Sequence, residues 1–227
     1  MITLHSLNFT FLIGCHVIQK HWEHIKLKKV APASIEARRS GELELTCSAT
    51  GSPAPVISWY KNGLFVHHEV DHSQEDQSSL GETVARLRIP CVGDQDAGQY
   101  ECRAVSGKLQ QSAVTTVKVA DWDTNLCFNT GDPYITLWRP TLLIEIGETV
   151  VLPCRVDKNI DAVITWTDAQ GKVVTNGDQY QVLVNGDLVI SSVSWSHMGQ
   201  YSCTATNVAG TTTIHSFVYP LTSSSES

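Results

Sequence analysis

The residues of this 227-residue chain best equipped for chemistry are seven cysteines: Cys15, Cys47, Cys91, Cys102, Cys127, Cys154 and Cys203. None stands in a Cys-x-x-Cys pair, the spacing that offers two thiolates to one zinc ion or sets up thiol–disulfide exchange, so no metal is expected and covalent cross-linking is left as their role. Seven is odd. Cys15, however, follows an apolar run, residues 7–14, that reads as the core of a secretory leader cut at Gly14 or Cys15. Its removal leaves six cysteines, an even set suited to an oxidising exterior. No Lys or Arg precedes the run, so an irregular N-terminus from an alternative start is the competing reading.

Other chemistry is sparse. There is no Gly-x-Ser-x-Gly elbow, no His-Glu-x-x-His and no glycine-rich phosphate loop, so neither an enzyme nor a cofactor is expected. His67, His68 and His72 fall together, but on a stretch that reads as a solvated loop rather than a metal site. The formal charge is −7; residues 1–30 hold Lys20, Lys26, Lys28 and Lys29 against Glu23, a local +3 that leaves −10 on the rest. An acidic body repels phosphate backbones and anionic lipid, which argues against nucleic acid and membrane surfaces as partners. No run reaches the ~18 apolar residues of a membrane span. The polar tail, residues 221–227, carries no lipid-anchor signal, so a secreted protein is expected rather than a piece of a membrane-anchored receptor.

What positions the cysteines is a repeat. Cys47 and Cys154 are each followed twelve residues later by a tryptophan, Trp59 and Trp166. Each half closes on Gly-Gln-Tyr-x-Cys, ending at Tyr100 and Cys102 and at Tyr201 and Cys203. Around these points apolar residues alternate with polar ones, as in Leu43, Leu45, Cys47 and Ala49, or Val150, Leu152 and Cys154. A period of two puts one face of each strand in a core. Asn62-Gly63, Asn176-Gly177-Asp178 and Asn185-Gly186-Asp187 mark turns between strands, and no helical period of any length appears.

Both halves resemble immunoglobulin domains of the intermediate (I-set) type. The resemblance implies an all-β chain of two tandem β-sandwiches, with disulfides Cys47–Cys102 and Cys154–Cys203, each shielded by its Trp, and a tyrosine corner at Tyr100 and at Tyr201. The expected domains are residues 31–120 and 137–220, joined by a linker at 121–136 and preceded by a leader or arm at 1–30. His197 stands where Asp96 stands in the first half, which predicts a weakened turn contact, and Pro153 inside a central strand predicts a bulge. In this topology Cys91, after strand E, and Cys127, in the linker, both fall at the bottom of the first domain. A Cys91–Cys127 tether is the natural reading; two unrelated thiols or a bridge to another chain are the alternatives.

The second domain carries more. Leu152-Pro153-Cys154-Arg155-Val156, Val182-Leu183-Val184-Asn185-Gly186-Asp187-Leu188-Val189-Ile190, Trp195-x-x-Met198-Gly199 and Phe217-Val218-Tyr219-Pro220 make it similar to the secreted two-immunoglobulin-domain proteins of the nematode zig family and to the insect ecdysone-inducible insulin-like-peptide-binding protein. The resemblance implies a secreted binding protein. Its partner would be an insulin-like peptide, withheld from its receptor, or a neuronal surface or matrix protein, bound to maintain axon position. Aromatics without a slot in the domain pattern are the candidate partner-binding residues: Trp122, Phe128, Tyr134 and Trp138 near the linker, and Trp195. The competing reading has the linker group pack the two domains together. The standard glycosylation sequon, Asn8-Phe9-Thr10, lies in the leader; a rarer one at Asn125 competes with the Cys127 cross-link.

Overall fold

Alternating burial organises the first half into strands β1 His24–Lys29, β2 Ser34–Arg38, β3 Leu43–Ser52, β4 Val56–Lys61, β5 Leu64–His67, β6 Leu80–Ile89, β7 Gly98–Ser106 and β8 Leu109–Ala120. The second half contributes β9 Ile135–Glu145, β10 Val150–Leu152, β11 Cys154–Val156, β12 Val163–Thr167, β13 Tyr180–Val182, β14 Leu188–Ile190, β15 Gly199–Thr206 and β16 Thr211–Leu221. This is a computed structural model, and it describes residues 23–67, 79–120, 127, 131–157 and 159–222. Each half is a sandwich of two sheets. Cys47–Cys102 ties β3 to β7 in the first, and Cys154–Cys203 ties β11 to β15 in the second. Trp59 and Trp166, each 1% exposed, pack in the cores beside them. The chain-entropy model gives a cross-link of this span about 4 kcal/mol. Cys91 and Cys127 are joined as well.

Three expectations are corrected. Residues 24–29 are not part of a leader or arm: β1 pairs antiparallel with β3, and Ile25 and Leu27 pack on the first core. The alternation in His-Ile-Lys-Leu-Lys-Lys is the sequence signal for this strand, with Ile25 and Leu27 turned inward between charged neighbours. The second domain likewise begins before residue 137, since Ile135 is fully buried in its core. Pro153 makes a switch between sheets beside the expected irregularity, a register shift between Arg155 and Val156. Having no N–H to donate, it divides the strand into β10, which pairs with β14, and β11, which pairs with β9 in the other sheet.

The third correction is at His197. In the first half Gly93 N–H donates to Asp96 Oδ2 at 2.9 Å, closing a short 3-10 turn; in the second, Ser194 N–H donates to His197 Nδ1 at the same distance. Histidine therefore makes the contact that aspartate makes, and is not a loss. Both corners are capped by tyrosine, Tyr100 O–H donating to Asp96 O at 2.9 Å and Tyr201 O–H to His197 O at 3.1 Å. Burial, which disfavours the charged ring, holds the pKa of His197 below its ordinary value. The unfolded chain then binds a proton more readily than the folded one, so this contribution is intact above about pH 6.5 and is lost as pH falls below it. His197→Asp, which restores an acceptor that stays ionised to about pH 4, is expected to shrink the fall in melting temperature between about pH 7.5 and about 5.5. An unchanged fall in a thermal melt series would show that His197 is not the sensor.

The two sandwiches share a sheet. Its order is β1-β3-β6-β9-β16-β15-β12, with β11 also on β9. β6, the last first-domain strand in it, pairs antiparallel with β9, the first of the second domain: Leu80 lies opposite Leu143, Gly81 opposite Leu142, and Val84 opposite Trp138. The approach is close enough that a Cβ on Gly81 would sit 2.7 Å from the Thr141 carbonyl oxygen, so glycine is needed there. Ala54, from the first domain, is buried within the second domain's core cluster. β2-β8-β7-β4-β5 completes the first sandwich and β10-β14-β13 the second.

Candidate functional site

The fused sheet puts side chains from both domains on one surface. Leu80 on β6, Leu143 on β9 and Tyr219 on β16 occupy one register row across the domain boundary. In the next row Glu82, Thr141 and Phe217 align in the same way. Beside Tyr219 stands Trp195, on the 3-10 turn Trp195–His197, its ring 6.1 Å away and edge-on. Trp195 is 50% exposed and Phe217 and Tyr219 each 41%. A cluster of large apolar side chains left in water is the exception on a protein surface and marks an interaction site. Its flank is polar: His215 Nδ1 lies 2.9 Å from Ser202 Oγ and 3.2 Å from the Gln200 amide. An apolar centre with a hydrogen-bonding rim is the anatomy of a protein interface.

The sequence-predicted aromatics separate. Trp195 belongs to this cluster. Tyr134 and Trp138 instead line the seam, where the Arg86 guanidinium lies 4.8 Å from the Tyr134 ring centre and 4.6 Å from that of Trp138. Arg88, doubly bonded to Glu42 at 2.8 and 3.0 Å, sits 5.0 Å from the Tyr134 ring centre. Burial pushes the Tyr134 hydroxyl pKa up. These two therefore pack domain on domain. Trp122 and Phe128 lie outside the described residues, as do Asn8, Asn125, His68 and His72. No group of three or more His, Cys, Asp or Glu that could hold a metal ion occurs among the described residues. Phe217 and Tyr219 were missed, though a signal existed. Ser216, Val218 and Pro220 are buried, so strict alternation along β16 turns both aromatics outward.

Comparison with known proteins matches the immunoglobulin-domain profile to residues 27–106 and 132–207. The chain belongs to the immunoglobulin-domain family. Within it, the chain is 32% identical over 185 residues to zwei Ig domain protein zig-2 of Caenorhabditis elegans, covering 78% of this chain and 77% of that protein. It is 31% identical over 206 residues to neural/ectodermal development factor IMP-L2 of Drosophila melanogaster, covering 87% and 77%. The crystal structure of IMP-L2 superposes with a TM-score of 0.76 at 30% identity, over 89% of this chain and 97% of that one. This is therefore a two-domain member related to the zig and IMP-L2 proteins: an extracellular immunoglobulin-domain binding protein and not an enzyme. No helix among the described residues is long and apolar enough to cross a membrane.

Proposed function

We propose that this immunoglobulin-domain protein is secreted and sequesters insulin-like peptides, lowering signalling through their receptor. The observation that carries the reading is the IMP-L2 match at TM-score 0.76, which extends over both domains and so includes their arrangement. The insect proteins that the second domain resembles sequester such peptides. The Leu80–Leu143–Tyr219 row, with Phe217 and Trp195, supplies the docking surface: its apolar area crosses the domain boundary, so a bound peptide touches both domains at once. Calorimetric titration of the full chain with insulin-like peptides is expected to show saturable binding with a negative heat-capacity change, the mark of apolar burial. Absence of binding at micromolar concentration removes this reading.

A second reading is favoured by the 32% identity to zig-2. Here the same surface engages a neuronal surface or matrix protein and helps to maintain axon position. Labelled protein staining neurons in a manner that excess insulin-like peptide does not displace would select it.

A further inference from the structure

The first-domain edge of the fused sheet is strongly basic. β1 turns Ile25 and Leu27 into the first core, so Lys26 between them points to the outer face. Lys26 lies opposite Thr50 and Lys29 opposite Ser48, with Lys28 at the register shift between them. All three lysines are exposed. The chain carries a net −7 and holds many of its cations with carboxylates: Arg39 with Asp94, Lys61 with Asp96, Arg88 with Glu42, Arg103 with Glu101 and Arg155 with Asp187. The β1 lysines stand together and form no ion pair among the described residues. Edge strands do carry lysine to turn other strands away. That task is lighter here, because the Leu27 N–H already donates to Gln111 Oε1 of β8 at 3.0 Å.

Their place in the sheet points to the ligand. Lys26 is the register partner of Thr50, Thr50 of Glu82, Glu82 of Thr141, and Thr141 of Phe217. One row therefore runs from the lysine edge to the apolar cluster, over about 19 Å at the usual strand spacing. We propose, resting on the reading of this face as the docking surface, that the β1 lysines receive acidic side chains of the same protein ligand that covers Phe217 and Tyr219. The surface then selects a ligand whose apolar patch and carboxylates lie about 19 Å apart. Glu82, about 10 Å from Lys26 along the row, repels a carboxylate placed nearer the cluster and so sharpens that spacing. A sulfated polysaccharide would use the lysines but leave the aromatic end of the row uncovered. Charges at the rim of an interface act on the encounter, speeding association while leaving dissociation nearly alone.

Association kinetics of the full chain with an insulin-like peptide of net negative charge, at low and at high salt, test it. The wild-type association rate is expected to fall about tenfold or more from low to high salt. Lys26→Glu with Lys29→Glu should slow association about tenfold or more at low salt and change dissociation by less than about twofold. Glu82→Gln should speed association. Lys118→Glu, on β8 in the first domain's other sheet, is the control and should stay within about twofold of the wild type. Wild-type binding whose rate ignores both salt and the lysine reversal overturns the proposal and leaves the docking face standing. Equal slowing by Lys118→Glu would reduce the effect to net charge and overturn it as well. Amide shifts at residues 26–29 with a heparin fragment, while peptide association is indifferent to the reversal, would hand the lysines to a sulfated polysaccharide. Failure of the wild type to bind the peptide at all removes the docking reading, and this proposal with it.

Discussion

Trp138→Ala is expected to cost about 3 kcal/mol of stability and lower the melting temperature by about 6–12 °C. The indole has a structural task on three sides. It lies opposite Val84 of β6 and Cys154 of β11, packs against the second domain's core, and forms one wall of the slot that holds Arg86. Arg86 Nε has no hydrogen-bond acceptor among the described residues, so the faces of Tyr134 and Trp138 compensate that charge. A desolvated cation–π contact contributes about 2 kcal/mol. Arg86→Ala in the Trp138→Ala background should therefore cost less than in the wild type, a coupling readable in a double-mutant cycle. The signature is a lower melting point with binding retained below the transition. A variant that melts like the wild type yet no longer binds would return Trp138 to the candidate binding residues.

How much of this was legible beforehand depends on the range of the interaction. The pattern at Cys47, Trp59 and Cys102 is local repetition with a fixed spacing, and period-two alternation names the buried face of each strand without knowledge of its neighbour. Two sandwiches could thus be read directly. The fused sheet could not. Pairing of β6 with β9 joins residues some sixty positions apart through backbone groups that every residue carries, and Leu80 and Leu143 look like any other alternating pair. Without that pairing, the aromatics near the linker fit a partner surface and a domain contact equally well; the pairing turns Tyr134 and Trp138 into the seam and leaves Trp195 exposed beside Tyr219 on β16. Pro153 shows the same limit. A missing donor says that a ladder is interrupted, but not that the strand resumes in another sheet. His197 failed for a different reason, because the rule that aspartate closes this turn describes a residue type, whereas the turn needs only an acceptor, and a neutral imidazole has one.

Tyr219→Ala is expected to weaken partner binding by about 30-fold or more while moving the melting temperature little, since an exposed substitution changes stability by about 0.5 kcal/mol at most. Tyr219 is the middle of the apolar cluster: Leu143 is its register partner on β9, Leu80 lies beyond on β6, and Trp195 meets its ring edge-on. Tyrosine and tryptophan at the centre of a patch bury large rigid surfaces at small entropic cost, which is why a few of them carry most of an interface's energy. Trp195→Ala should weaken binding by a similar factor, and the double variant by less than the product, because each ring holds the other in place; aromatic pairs of this kind couple by about 0.5–1.5 kcal/mol. Thr213→Ala, outward on the same strand but beyond the cluster, should bind as the wild type does. The contrast with Trp138 is the decisive one. If Tyr219→Ala and Trp195→Ala both bind as the wild type does while the fold is intact, the exposed row is not the docking surface, and an aromatic cluster in water at the domain boundary must be covered by something other than the ligand.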